Sequence, residues 1–197
     1  MLEDEKIIEC EEMGIEFSKK TGKVKSFNPN KFATFTAKKL QIIYNKDSFY
    51  VYNDGIWNKI SDMYLFQKLR GKLQTYSDNI WSLKNEKEYI GALKRIVFFE
   101  EELNSNKRYI NLRNGMFDLN TYSLMEHRPE FYSSIRIPVD YNEEAECPNF
   151  IRFLNQCFNG DEEAINLAQE WVGYILTAET RAQKALILYG LGKNGKG

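Results

Sequence analysis

The last thirteen residues constrain the fold most strongly, because an apolar run is followed at once by a glycine-rich loop. Residues 185–189 form an unbroken apolar run of strand length. A run without apolar–polar alternation is typical of a strand buried on both faces, as in a parallel sheet. The next residues meet the spacing G-x-x-x-x-G-K at Gly190, Gly195 and Lys196. A glycine-rich loop directly after a buried strand is the context that a phosphate-binding loop requires.

The chemistry of phosphate binding explains this choice of residues. Glycines let the backbone curl so that successive N–H groups point inward at an anion. Lysine adds a positive charge aimed at the outer phosphates, and the dipole of a following helix adds to it. A flexible glycine–lysine tail is the alternative, and the apolar run in front favours the loop. The predicted phosphate-binding residues are Gly190, Leu191, Gly192, Lys193, Asn194, Gly195, Lys196 and Gly197.

Composition excludes several other classes of protein. A chain of 197 residues with 43% hydrophobic and 14% aromatic residues is globular, with room for one core or one domain plus part of another. No apolar run approaches the roughly 18 residues that span a bilayer, and the acidic N-terminus does not fit a secretory signal. The three cysteines are sparse and odd in number, which predicts reduced thiols in the cytoplasm. His127 has no neighbouring cluster of ligands, so we predict no metal site.

The net charge of −1 hides a strong segregation of charge along the chain. Residues 1–16 contain seven acids and one lysine, whereas residues 17–46 contain eight lysines and no acid. Aromatic residues are interleaved with these lysines, a pattern that can bind single strands by backbone attraction and base stacking. The alternative is a solvated lysine face over a small aromatic core, with the acidic arm folded against it, and composition favours this alternative. The candidate nucleic-acid-binding residues are Lys19, Lys20, Lys23, Lys25, Lys38 and Lys39.

Local patterns predict an α+β fold, with a small mixed or antiparallel sheet and several helices before the start of an α/β ATPase domain. Residues 1–29 are expected to be a charged arm with at most a short helix. The turn Asn53-Asp54-Gly55 predicts a hairpin, since Asp-Gly supplies positive φ. Helices are expected at about 30–40, 61–73 and 85–99, and from Pro148 and Asp161, with strands between residues 109 and 139.

The order of these pieces resembles the primase–helicases of phages, plasmids and poxviruses, whose motor belongs to superfamily 3. The resemblance covers about residues 30–197 and is carried by several stretches, among them FYVYNDGIW at 49–57, NLRNGMFDL at 111–119, QEWVGYILT at 169–177 and GLGKNGKG at 190–197. It implies a domain preceding the helicase at 30–180 and the truncated start of the ATPase at 181–197, after the charged arm that the residues themselves predict at 1–29.

The resemblance also implies what the full-length protein does. It would be an ATP-dependent DNA helicase that uses ATP and Mg²⁺, acts on single-stranded DNA and assembles as a homo-oligomer, a hexameric ring. It would act in the cytoplasm, that of the bacterial host if a phage encodes it, with no membrane partner. In that family G-K-G is usually followed by Thr or Ser, so the Mg²⁺ hydroxyl is expected one place beyond Gly197. Only Lys196 receives a catalytic assignment.

Some required parts are missing from the sequence. About thirty residues are too few for a primase domain, and no second acidic motif, sensor or arginine finger follows the loop. We therefore expect no ATP hydrolysis from residues 1–197 alone. Two alternatives remain open. One is a non-catalytic module for single-stranded nucleic-acid binding or oligomerisation in a replication protein. The other is an unrelated P-loop protein such as a kinase or GTPase, disfavoured because some 180 residues precede the loop.

Overall fold

The computed structural model describes residues 2–189, which have an α+β fold as the sequence predicts. Within this range the chain has six α-helices and eight strands, and the strands form three small antiparallel sheets. None of these helices combines the length and the apolar character needed to cross a membrane. The chain divides into two compact units. Of the described residues, unit 1 contains those up to Ser105 and Arg128–Ile135, and unit 2 contains Asn106–His127 and residues 136–189.

Unit 1 contains four helices, a two-stranded hairpin and a three-stranded antiparallel sheet. In chain order these elements are α1 (Leu2–Glu12), β1 (Ile15–Phe17), β2 (Val24–Phe27), α2 (Pro29–Lys39), β3 (Ile42–Asn45), β4 (Ser48–Asn53), β5 (Ile56–Ile60), α3 (Asp62–Gln74) and α4 (Leu83–Ile96). Strand β1 pairs with β2, and β3, β4 and β5 form the larger sheet in that order.

Local chemistry sets the boundaries of these elements. The Asn28 side chain accepts hydrogen bonds from the backbone N–H groups of Asn30 and Lys31, at 3.0 and 3.2 Å, and so caps α2. Asp54 and Gly55 adopt φ of 51° and 77°, which closes the β4–β5 hairpin. The predicted hairpin and the helix near 30–40 are therefore confirmed.

The core of unit 1 lies mainly where α2 packs against α4. The ring of Phe32 meets the ring of Tyr89 edge-on at 5.1 Å, and both side chains are fully buried. Phe49 joins this core from the sheet, and α3 adds a stripe at every fourth residue through Leu65, Leu69 and Leu73.

Residues 2–27 differ from the arm expected from their charge. They form α1 and the β1–β2 hairpin, and Cys10, Met13 and Ile15 are buried in the core of unit 1. Among the charged side chains that the structure describes here, Lys6, Glu11 and Glu12 are exposed, whereas Glu9 is half-buried. The few apolar residues are enough to anchor it, because each buried side chain contributes roughly 1.5–3 kcal/mol of transfer free energy.

Unit 2 contains a three-stranded antiparallel sheet and two helices. The elements are β6 (Tyr109–Leu112), β7 (Gly115–Asp118), β8 (Ser123–Met125), α5 (Pro148–Phe158) and α6 (Glu162–Leu176). Arg108 donates to the buried Asp118 at 2.7 Å, and this guanidinium holds the pKa of Asp118 well below its usual range. The Nε2 atom of His127 lies 2.9 Å from the carbonyl oxygen of Leu112, so this histidine links β6 to the end of β8.

Residues 185–189 do not form the strand that their apolar run predicts. They have no strand pairing in the described structure, and Ile187 and Tyr189 are 88% and 89% exposed. The prediction of a buried strand is wrong here for a physical reason. A strand buried on both faces needs neighbouring strands and covering helices, and residues 2–189 place none of them alongside it. The predicted domain limits at residues 30 and 180 remain predictions.

Candidate nucleic-acid interface

The β1–β2 hairpin carries the densest group of lysines in the chain. Its turn is closed by two backbone hydrogen bonds of 2.8 Å, from Ser18 N–H to the Lys23 carbonyl and from Gly22 N–H to the Ser18 carbonyl. Gly22 adopts a φ of 64°, the left-handed conformation that glycine accepts most easily. The turn therefore holds the exposed Lys19 and Lys20 away from the body of unit 1.

An open groove lies beside this hairpin, with a volume of about 1130 Å³. Four lysines line it from different elements, namely Lys6 of α1, Lys19 of the turn, Lys25 of β2 and Lys31 of α2. Aromatic rings line the same concavity, contributed by Phe17, Phe27 and Tyr76. We call this concavity the lysine groove. These lysines, which are distant in the sequence, come together in the groove because the hairpin folds back against the start of α2.

The two phenylalanines of the hairpin differ in how much of the ring is available. Phe27 is half-buried and packs against Phe32 at 5.8 Å, so it belongs mainly to the core. Phe17 is 40% exposed and lines the groove. An exposed ring beside several lysines is an arrangement on which a base can stack.

Most of the positive charge on the hairpin is not neutralised within the described structure. Glu16 accepts a hydrogen bond from the Ser26 hydroxyl at 2.8 Å and lies 3.8 Å from the Lys25 ammonium. Both members of that ion pair are well exposed, so it contributes little. Among the side chains that the structure describes, those of residues 6–189, none forms an ion pair with Lys19, Lys20, Lys23 or Lys31. The groove therefore has a net positive wall.

Gly14 sets the shape of the groove where α1 passes into β1. Its carbonyl accepts a hydrogen bond from Asn28 N–H at 2.8 Å, which ties β1 to the start of α2. A Cβ atom at this position would lie 2.8 Å from the Cβ of Lys31 and 2.9 Å from the carbonyl oxygen of Asn28. Gly14 also has a φ of 76°. Only glycine combines this close approach with this backbone conformation.

A polar cluster anchors α1 to the far end of α3. The carboxylate of Glu9 accepts hydrogen bonds from the Lys72 ammonium, at 2.8 Å, and from the Tyr76 hydroxyl. These two donors hold the pKa of Glu9 below its ordinary value, and the carboxylate in turn raises the pKa of Lys72. Burial raises the pKa of the neighbouring Cys10 thiol and that of Tyr76.

The structure brings together some of the lysines predicted to bind nucleic acid and separates others. Lys19 and Lys25 line the groove, whereas Lys20 and Lys23 are exposed in and beside the turn. Lys38 lines a smaller cavity of about 400 Å³, together with Lys31 and the carboxylates of Glu11 and Glu12.

The remaining predicted lysine, Lys39, is in the last turn of α2, and its ammonium lies 5.7 Å from the centre of the Phe35 ring.

The candidate residues that sequence reasoning missed are Lys6 and Lys31. The signal for Lys31 was present, because the Asn28 cap places it in the first turn of α2. Lys6 gave no such signal, because it stands alone among acids.

The predicted phosphate loop, residues 190–197, lies outside the described residues, so Lys196 and the ATP and Mg²⁺ contacts stay predictions. Within residues 2–189, no group of three or more His, Cys, Asp or Glu side chains is arranged to hold a metal ion.

The fold is thus an α+β domain with a basic, aromatic-lined groove. The family model described as "D5 N terminal like" matches residues 30–159, which is 130 of the 197 residues. The chain belongs to this family, the N-terminal domain of D5-type primase–helicases of phages and poxviruses. The predicted resemblance is confirmed, and the class is that of replication proteins of helicase type. No curated protein matches the chain.

Most of the residues that line the lysine groove lie outside the matched range. The family match begins at residue 30, so α1 and the β1–β2 hairpin precede it. Of the residues that line the groove, only Lys31 and Tyr76 lie inside the matched range. The groove is therefore formed where residues that precede the matched range pack against residues inside it.

Replacing Gly14 by alanine should destabilise unit 1 by more than about 1 kcal/mol, because alanine meets both positive φ and a steric clash. The matched control is Gly22→Ala, where φ is also positive but no atom lies within 4 Å of the added Cβ. Urea unfolding monitored by circular dichroism measures both. Equal losses in the two variants would contradict the role of close packing at Gly14.

Proposed function

We propose that this chain is the domain preceding the motor of an ATP-dependent DNA helicase of phage or plasmid type, and that its lysine groove binds single-stranded DNA. The convergence of Lys6, Lys19, Lys25 and Lys31 on an open groove with an exposed aromatic ring carries this proposal. Phosphates supply the negative charge that such a wall attracts, and bases supply faces that stack on aromatic rings.

The shape of the site favours a polymer over a small molecule. A volume of about 1130 Å³ exceeds the roughly 300–1,000 Å³ of typical small-molecule pockets. The lysines also come from separate elements, α1, the hairpin and α2, instead of from one segment, which suits a chain of phosphates. A solvated lysine face, the reading that composition favours, would spread the same residues over a convex surface. The groove supports the binding interpretation for Lys19 and Lys25.

An oligomerisation role is the second candidate, and the exposed apolar face of the α5–α6 pair favours it. Only Leu154 and Ile165 of these two helices are buried, whereas Phe153 and Leu167 are about half exposed. Exposed apolar surface of this kind is typical of protein interfaces. We propose that the full-length protein forms a homo-oligomeric ring, hexameric by resemblance, in the cytoplasm.

Exchanging Lys19, Lys25 and Lys31 for glutamine together should weaken binding of a single-stranded oligonucleotide. The slope of log affinity against log salt should become shallower by about 2, since each phosphate contact to a single strand contributes about 0.7. Fluorescence anisotropy across a salt series measures both quantities. The matched control exchanges Lys59, Lys84 and Lys87, which are exposed in the same unit but outside the groove. Similar slopes in the two triple variants would contradict binding in the groove.

Phe17→Ala should weaken binding by about 1–3 kcal/mol while leaving the salt slope unchanged, because stacking involves no counterion release. Phe98→Ala is the control, since that ring is 62% exposed in unit 1 but does not line the groove. The same anisotropy titration applies. A changed slope with Phe17→Ala would show that the phenylalanine acts through the lysines and not by stacking.

The ATPase part of the proposal concerns residues outside the described range and is supported by the motif at 190–197 and by the family. In the full-length protein, Lys196→Ala should abolish ATP hydrolysis, because it removes the charge aimed at the outer phosphates. Residues 1–197 alone should hydrolyse no ATP. A steady-state phosphate-release assay measures both, and turnover by residues 1–197 that Lys196→Ala abolishes would contradict the second expectation.

A further inference from the structure

A smaller cavity of about 400 Å³ adjoins the lysine groove, and residues of α1 and α2 line it. Glu11, Asn28 and Lys31 line both concavities, so a strand in the groove passes the entrance of the smaller one. We infer that this smaller cavity holds one base of the bound strand and prefers guanine. The inference rests on the proposed function of the groove, because it names the sequence that the same site favours.

The lining of the smaller cavity combines both signs of charge. Glu11 and Glu12 of α1 contribute carboxylates, and Lys31 and Lys38 of α2 contribute ammonium groups. Within the described side chains, residues 6–189, no ion pair joins these acids to these lysines. Both kinds of charge therefore remain available to a ligand. Such a ligand presents anionic groups to the lysines and hydrogen-bond donors to the carboxylates.

A nucleotide within a strand carries both kinds of group. Its phosphates are attracted to lysines, whereas an ionised carboxylate only accepts hydrogen bonds and repels phosphate oxygens. The donors that a single strand offers to a carboxylate lie on the edges of its bases. Guanine has two adjacent donors, the N1–H and the N2 amino group, which match the two oxygens of one carboxylate. Thymine has only its N3–H, so the carboxylates favour guanine over thymine.

The two sides of the cavity are held in place, as recognition of a base requires. The two glutamates stand between the buried Cys10 and Met13 in the sequence, and the Glu11 carbonyl accepts a hydrogen bond from Gly14 N–H at 3.0 Å. On the α2 side, Phe35 lines the cavity and belongs to the core of unit 1. The volume lies near the lower end of the roughly 300–1,000 Å³ of small-ligand sites, which suits one base better than a longer segment.

The two lysines of the cavity are spaced to hold the strand on either side of that base. Lys31 and Lys38 lie seven residues apart in α2, which places them on the same face, two turns and roughly 10 Å apart along the axis. They therefore meet different phosphates of one strand. Lys38 is one of the lysines that the sequence predicts to bind nucleic acid, although it does not line the groove itself.

The test measures the affinity of the full chain, by fluorescence anisotropy, for thymidine strands of about eight nucleotides that differ at one central base. The central base is guanine, hypoxanthine or thymine. The guanine strand should bind about five- to tenfold tighter than the all-thymidine strand, as expected for a bidentate base contact. Hypoxanthine lacks the N2 amino group, so it should lose most of this gain. Equal affinities for guanine and thymine would overturn the inference.

Glu11→Gln with Glu12→Gln should abolish the preference for guanine, because a glutamine amide offers one acceptor oxygen where a carboxylate offers two. If the acids act only through their charge, this double variant will bind all three strands more tightly and keep the preference, which would overturn the inference. The matched control is Glu100→Gln with Glu101→Gln, the same charge change at two exposed neighbours in unit 1 that do not line the cavity. Loss of the preference in this control would also contradict the assignment.

Lys38→Gln provides an independent test, because it leaves the carboxylates unchanged. It should weaken binding of the guanine strand about two- to threefold more than that of the thymidine strand, since only guanine draws the strand into the cavity. Lys39→Gln is its control, an adjacent lysine that does not line the cavity. Equal effects of Lys38→Gln on the two strands would overturn the inference alone. Absence of binding of every strand to the parent chain would overturn the proposed function, and the inference with it.

Discussion

The packing of Phe32 is the contact on which the rest of unit 1 depends. Its ring meets Tyr89 of α4 edge-on at 5.1 Å on one side and Phe27 of the hairpin at 5.8 Å on the other. One fully buried side chain thus joins the helical core to the segment that carries the lysines. The groove wall formed by β2 keeps its position because an aromatic pair contributes about 0.5–1.5 kcal/mol beyond the area that it buries.

In the hairpin, the residues that fix the strands are different from the lysines that carry the charge. The hairpin presents lysines from an exposed turn, but its strands are fixed by apolar contacts on the other side and by the hydrogen bond between Asn28 and Gly14. Binding sites are more precise when the elements that carry them are held by packing, because less conformational entropy is lost on binding. The family match starts two residues after Asn28, so nearly all of α2 and the whole of α4 lie in the matched range, whereas the hairpin precedes it.

The sequence predicted the elements of this fold better than their assembly. The Asn28 cap, the Asp54-Gly55 turn and the apolar stripes of the helices depend on neighbouring residues, so local patterns were enough to find them. The fourth helix was placed at 85–99 but spans 83–96, because Ser82 caps it and because Phe99 N–H bonds to the Tyr44 carbonyl instead of continuing the helix. That strand-like contact joins residues 55 positions apart, and no local pattern encodes it.

The candidate site, too, could be predicted from the sequence only where neighbouring residues carry the signal. Lys19 and Lys25 could be named from the lysine-rich stretch, but Lys6 could not, because only folding brings the acidic segment beside the hairpin. For the apolar run at 185–189, in contrast, the sequence predicted a strand that the structure does not form. Its composition describes a strand inside a sheet, yet a run of side chains cannot form a sheet unless other strands lie beside it, and the described residues supply none.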